Sequence, residues 1–145
     1  MTEILKIYCD GACSNNPGIG GWGAVLLWED NIKKISGREA SSTNNRMELV
    51  AIIQALKVIK KDVTIEVYTD SKYLLYGITK WIHNWKKTEW NKGEIKNIDL
   101  WQELDALVIS INSVNIKWYW VKGHSGDRYN EMADKLAKDA ILNIE

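Results

Sequence analysis

A chain of 145 residues is the size of one domain, long enough to bury roughly 70% of its unfolded surface in a single core. With 46% hydrophobic and 26% charged residues, and no apolar run near the roughly 20 residues of a membrane helix, neither a disordered chain nor a membrane protein is expected. Lys plus Arg and Asp plus Glu both total 19, so net charge is silent about a nucleic-acid partner and local distribution has to speak for it.

The chain opens on "MTEILKIYCDGAC", whose residues 4 to 13 are rich in β-branched and aromatic types and predict a first strand. No basic region leads into an apolar segment with a small-residue cleavage site, so no secretory signal is expected and a cytoplasmic location is. Cys9 and Cys13 lie too close for a useful staple and lack the second pair of a zinc site, which predicts reduced, structural thiols. The loop "SNNPG" precedes a second strand, "GGWGAVLLWE", and "NIKKISGREA" reads as a third; short connections favour an antiparallel meander. "GIGGWG", Gly18 to Gly23, matches a dinucleotide-binding fingerprint, but its glycines open a strand where that motif opens a helix. A tight turn and close backbone approach explain them better.

In "TNNRMELVAIIQALKVIKK" the period becomes helical, with Glu48, Ala51, Ile52, Ala55 and Ile59 on one face. "VTIEVYT" alternates as a fourth strand, "SKYLLYGITKWIHNWKK" and "IDLWQELDALVISI" read as helices, and "VNIKWYWV" as a fifth strand. The last helix carries Ala133, Leu136, Ala137, Ala140 and Ile141 as one apolar stripe, capped by Asp127. This order predicts an α/β layered domain over residues 1–145, with a mixed five-stranded sheet, three antiparallel strands followed by parallel ones, and helices on both faces.

Four acids stand out against this pattern. Asp70 could cap the helix that follows it, Asn45 with Glu48 resembles a capping box, and Asp134 could be a solvated flank of the last helix. Asp10 is harder to place, because a carboxylate inside a covered strand is costly unless it is paired, hydrogen-bonded or bound to metal. If the first and fourth strands are neighbours, Asp10 and Asp70 meet at strand ends, where sites of layered α/β sheets gather. Glu48 heads the buried face of the helix between them, and Asp134 lies on a helix packed against the same sheet. Acids that converge without basic partners are reconciled by a divalent cation; with oxygen ligands and no His/Cys constellation, Mg2+ or Mn2+ is expected.

The motifs "DGACSNNPG", "TNNRMEL", "YTDS" and "WVKGHSGDRYNEMADKLA" resemble, in order and along essentially the whole chain, those of type 1 ribonuclease H, which cuts the RNA strand of RNA/DNA hybrids. The resemblance implies the ribonuclease H-like fold; a monomer is expected, and since these residues hold no added hybrid-binding or polymerase domain, so is a chain that stands alone. The same resemblance places Asp10, Glu48, Asp70 and Asp134 where that family has its metal-site acids, and His124 where it has a catalytic histidine; taken by itself, a His between glycines would be a loop residue. Two Mg2+ ions, with Mn2+ as a substitute, are then implied to clamp the scissile phosphate and leave 5′-phosphate and 3′-hydroxyl ends.

Substrate contacts are expected in two places. "TKWIHNWKKTEWNKGEIKN" concentrates Lys80, Lys86, Lys87, Lys92 and Lys96 against Glu89 and Glu94, interleaved with Trp81, Trp85 and Trp90. Basic plus aromatic describes a nucleic-acid surface, in which Lys86 and Lys87 would neutralise phosphates and Trp81 would lie against sugars or bases; the alternative is a solvated helix anchored by its tryptophans. The segment, about residues 80–97, resembles the basic protrusion of bacterial relatives. Asn16, Asn44 and Asn45 sit in loops beside Asp10 and Glu48 and are similar to the family's groove-reading asparagines, which would recognise the 2′-hydroxyl. Lys72 departs from the glutamine many relatives carry after "TDS", which turns a base-edge contact into a phosphate contact. The rival readings are another carboxylate nuclease of the same fold and a non-catalytic hybrid-binding module.

Overall fold

The computed structural model describes residues 4–15, 17–59, 63–111, 116–123 and 126–142. Five strands, β1 (Ile4–Cys13), β2 (Gly18–Trp28), β3 (Asn31–Ser42), β4 (Thr64–Thr69) and β5 (Ile116–Trp120), form one sheet in the order β3-β2-β1-β4-β5. The first three pair antiparallel as a meander, while β4 runs parallel to β1 and β5 parallel to β4. The expected mixed sheet is therefore present. The outer strand β3 carries Lys33, Lys34 and Arg38 along its length, and such charges discourage edge-to-edge pairing.

Helix α1 (Asn44–Lys57) lies across one face. Its burial is broader than a single stripe: Met47 through Ile53, with Ala55 and Leu56, are all buried, because α5 (Ile98–Ser110) covers the side of α1 turned away from the sheet. The helix ends at Lys57, so Ile59, expected on its face, lies beyond it. Leu5, Ile7 and Cys9 of β1 and Ile65 and Val67 of β4 supply the sheet side of this main core. Their alternation is the period-2 pattern of a strand with one apolar face.

Helix α6 (Arg128–Leu142) covers the opposite face over β1 to β3, and Tyr8, Val25 and Ala133 centre the smaller core beneath it. Asp127 caps it as expected, its Oδ1 accepting from the backbone N–H of Tyr129 at 3.1 Å and Asn130 at 3.0 Å. The glycines of β2 explain how closely it packs. A Cβ on Gly21 would stand 2.1 Å from the carbonyl oxygen of Ala137, and one on Gly23 would stand 2.8 Å from that of Ala133, so the helix backbone rests directly on the strand. "GIGGWG" is thus a seat for a helix, in line with the close approach read from the sequence.

Between β4 and β5 the expected helix over residues 71–87 is present from Lys72 to Lys87, with a change of winding inside it. Helix α2 (Lys72–Tyr76) gives way to a π-helical turn, Gly77–Trp81, and then to α3 (Ile82–Lys87). The indole of Trp101 packs against bare backbone at this turn, where a Cβ on Gly77 would stand 2.0 Å from the ring. A short left-handed turn, α4 (Glu89–Gly93), follows, with Glu89, Trp90, Asn91 and Lys92 all at positive φ. No described helix is long and apolar enough to cross a membrane.

Candidate metal centre and nucleic-acid surface

The backbone hydrogen bonds of the parallel pair β1/β4 stop at Tyr8 and Tyr68, while β1 continues alone beside β2 to Cys13. A crevice opens where β4 leaves the sheet, at the carboxyl ends of parallel strands, which is where open α/β sheets bind ligands. Asp10 stands on the continuing strand at this point, 5% exposed, and Asp70 follows directly on the end of β4.

Neighbours perform the capping roles that could have occupied two of the acids. Thr43 is the N-cap of α1, its Oγ1 accepting from the N–H of Arg46 at 3.2 Å, and Asn45 and Glu48 form no capping box. Glu48 instead turns inward, 6% exposed, with Oε1 accepting from the backbone N–H of Gly11. Ser71, not Asp70, caps α2, its Oγ accepting from Leu74 at 3.1 Å, and Thr69 Oγ1 accepts from the N–H of Ser71 at 3.0 Å. The carboxylates of Glu48 and Asp70 are thereby released to the crevice.

Oxygens of Asp10, Glu48 and Asp70 lie within 4.8 Å of one another. They open into a cavity of about 520 Å³ that Asn44, Lys72 and Asp134 also line. Asp134 reaches it from α6, with its carboxylate 3.0 Å from Lys138 Nζ one turn further along. That partner was legible as an i, i+4 pair in "DKLAK" and escaped the sequence reading, which looked only for partners of Asp10. A second cavity, of about 290 Å³ and lined by Leu5, Leu26 and Trp28, lies at the far end of the sheet; its lining contains no acid.

The electrostatics of the cluster are those of acids gathered out of water. Burial is the largest cause holding the Asp10 carboxyl far above its ordinary range, followed by the charge of Glu48 and a hydrogen bond between the two. Burial also raises Glu48, while the bonds from Asp10 and Gly11 oppose the rise. Both carboxyls are thus held above the ordinary carboxylate range, because burial and their mutual charge disfavour ionising the pair. Glu48 Oε2 is buried and has no hydrogen-bond partner among the described residues. An all-oxygen donor set with an unsatisfied buried acceptor fits a hard divalent cation.

Of the expected substrate contacts, Asn44 and Asn45 are exposed at the start of α1 and belong to the helix, not to the preceding loop. Lys72 is exposed at the start of α2, its Nζ 5.2 Å from the ring centroid of Trp120. Trp81 is 40% exposed, whereas Trp85 packs against Trp101 with centroids 5.3 Å apart and serves the core. Lys86 is held 2.6 Å from Asp105 of α5, and Lys87 beside it is exposed. Asn16 and His124 lie outside the described residues.

Comparison with known proteins agrees with this geometry. A family model described as RNase H matches residues 2–142. The chain is similar to a protein named Ribonuclease H from Ruthia magnifica subsp. Calyptogena magnifica, 55% identical over 148 residues, covering 99% of each chain. It is likewise similar to one of that name from Bradyrhizobium diazoefficiens, 50% identical over 142 residues, covering 96% of this chain and 90% of the relative. Among solved structures it resembles LC9-RNase H1, a type 1 RNase H with the type 2 active-site motif. That match has a TM-score of 0.84 at 32% identity and covers 98% of this chain and 74% of the other.

Proposed function

The chain belongs to the ribonuclease H family and is a metal-dependent endoribonuclease of the RNA strand in RNA/DNA hybrids, and from that premise we propose that Asp10, Glu48, Asp70 and Asp134 form its metal site. The observation that carries the assignment is the convergence of three carboxylates within 4.8 Å at the end of the parallel strands. Asp10 and Asp70 face the centre of the crevice, Glu48 completes the buried side and Asp134 the open side. Mg2+ is the cation, bound as two ions during catalysis, with Mn2+ able to replace it. When bound, such a pair supplies Lewis-acid activation of water and stabilisation of the leaving oxygen, which leaves 5′-phosphate and 3′-hydroxyl ends.

The protein's own groups do the positioning. The N–H of Gly11 fixes the Glu48 carboxylate, so its free oxygen stays aimed into the crevice without a rotamer search. Asn44 and Asn45, exposed at the lip formed by the start of α1, read ribose hydroxyls of the strand to be cut. Lys72 and Lys87 meet phosphates, Lys86 joins them when it leaves Asp105, and the flat face of Trp81 lies against the nucleic-acid backbone. Asn16 and His124 complete the groove contact and proton transfer. The protein works as a cytoplasmic monomer in which residues 1–145 form one catalytic domain and residues 80–97 a basic protrusion.

The test is incubation with an RNA/DNA hybrid labelled on the RNA strand, in Mg2+ or in EDTA. Duplex DNA and a four-way junction serve as controls. Cleavage of RNA in the hybrid alone, abolished by EDTA, is the expected result. Hybrid binding without product, or preference for the junction, would overturn the assignment.

A further inference from the structure

We propose that Trp120 is a positioning residue for Lys72: its ring holds the lysine ammonium beside the carboxylate cavity and out of it, keeping Asp10, Glu48 and Asp70 open to a divalent cation. The inference rests on the metal-site reading above and concerns a restraint that reading does not contain.

Lys72 is the first residue of α2, two positions after Asp70, and it lines the same cavity as the three acids. A lysine has a flexible four-carbon stem and a compact charge, so an ammonium at the mouth of an anionic crevice is drawn inward. Lys138 shows the outcome in this same cavity, with its Nζ 3.0 Å from Asp134. Lys72 does otherwise. Among the described residues it makes no ion pair, and its Nζ lies over Trp120, 5.2 Å from the ring centroid, within the range of a cation–π contact.

The fold sets this contact. Trp120 is the last residue of β5 and pairs with Thr69, the residue before Asp70, so the indole emerges beside the site on the strand next to the one that ends in the acid. It is 46% exposed, which leaves a ring face available to the ammonium. An ammonium among the acids and a divalent cation exclude one another, because they compete for the same oxygens. Holding Lys72 on the ring therefore favours metal loading, and it leaves the ammonium at the rim.

The experiment titrates Mg2+ calorimetrically into the full chain at low salt without nucleic acid, comparing the parent with Trp120→Ala, Trp120→Phe, Lys72→Met and Trp120→Ala/Lys72→Met. An exposed cation–π contact is equivalent to about a two- to fivefold population bias, so Trp120→Ala should raise the Mg2+ dissociation constant by about that factor. Trp120→Phe should retain most of the parent affinity, and the double variant should bind as Lys72→Met does. Parent-like affinity in Trp120→Ala overturns the proposal. So does a loss that persists in the Lys72→Met background, which would assign the ring a packing role. If the parent itself binds no cation, the metal-site reading fails and takes this inference with it.

Discussion

Asp10 and Asp70 occupy the same level of two adjacent parallel strands: Tyr8 pairs with Tyr68, and each acid lies two residues further along its own chain. Register therefore brings the two carboxylates together. One of them ends its strand, while the other sits on a strand that β2 continues to hold. Removing either should change the chemistry of the site without removing an element of the fold.

Asp70→Asn should lower Mg2+-dependent hybrid cleavage by at least about a hundredfold, about 3 kcal/mol of barrier, while thermal stability in EDTA holds or rises. The amide removes one of several mutually repelling charges and leaves the Ser71 cap of α2 intact. Cleavage within tenfold of the parent would take Asp70 out of the site.

The metal-free protein should respond to pH in the direction the two raised carboxyls dictate. Burial lifts Glu48 to about 7, and Asp10 lies higher still, both above their unfolded values near 4. Groups with raised folded pKa values contribute stability that is full below about pH 4 and is lost as pH rises, through about 7 for Glu48 and through about 11 for Asp10. A cation that takes the place of bound protons should thus stabilise the protein more at pH 8 than at pH 5, and binding at neutral pH should release protons. Melting curves at both pH values, with Mg2+ or EDTA, check the first expectation, and calorimetry in buffers of different ionisation enthalpy checks the second. Equal Mg2+-induced shifts at the two pH values would contradict it.

Lys86 and Lys87 should separate when substituted singly. Lys87→Met should flatten the salt dependence of hybrid binding by about one unit of log–log slope. Lys86→Met should flatten it less and should also lower stability by about 1 kcal/mol, since it leaves the half-buried Asp105 without its partner at 2.6 Å. Matching slope changes in both would mean that the Lys86 ion pair opens freely on binding.

Asn44→Ala and Asn45→Ala should each weaken cleavage of RNA, and a run of 2′-deoxy residues in the RNA strand should resist cutting within the run. An amide set to bond a hydroxyl loses about 1–3 kcal/mol when the hydroxyl is absent. Thr43 already caps α1, so neither substitution removes the helix start. Parent-like rates and selectivity in both variants would move strand choice to other contacts.

Lys92→Gly should stabilise the protein by about 0.5–1 kcal/mol, a rise of roughly 2–4 °C in melting temperature. Lys92 sits at φ 56 with three neighbouring non-glycine residues also in the left-handed region. The relief of the Cβ clash exceeds the extra chain entropy of glycine in the unfolded state. An unchanged or lowered melting temperature would argue against the left-handed turn.

The succession of strands and helices along the chain and the two apolar helix faces were legible because each depends on local period. Alternation at Ile65 and Val67 and the stripe at Ala133 and Ala137 need no distant partner to be read. Which of the polar residues in "SSTNN" caps α1 was not legible: five candidates satisfy the same chemistry, and the docking of the whole helix selects Thr43. The π turn at Gly77 was hidden for a related reason. The ring that packs on it, Trp101, is 24 residues away, and nothing local distinguishes that glycine from one tolerated within a helix. The pairing of Lys86 with Asp105 likewise joins two helices whose individual charge patterns suggest only solvated faces.

The bare backbone of β2 under α6 also bears on the geometry of the site. Because the strand offers no side chains there, the spacing of Asp134 from the other acids is set largely by how closely main chain approaches main chain. A methyl group at Gly21 or Gly23 would act as a shim under the helix and lift that end of the site by ångströms, a larger error than catalytic geometry tolerates. A substitution at either of these two residues without side chains should therefore cost the site more than one among the exposed charges of the protrusion.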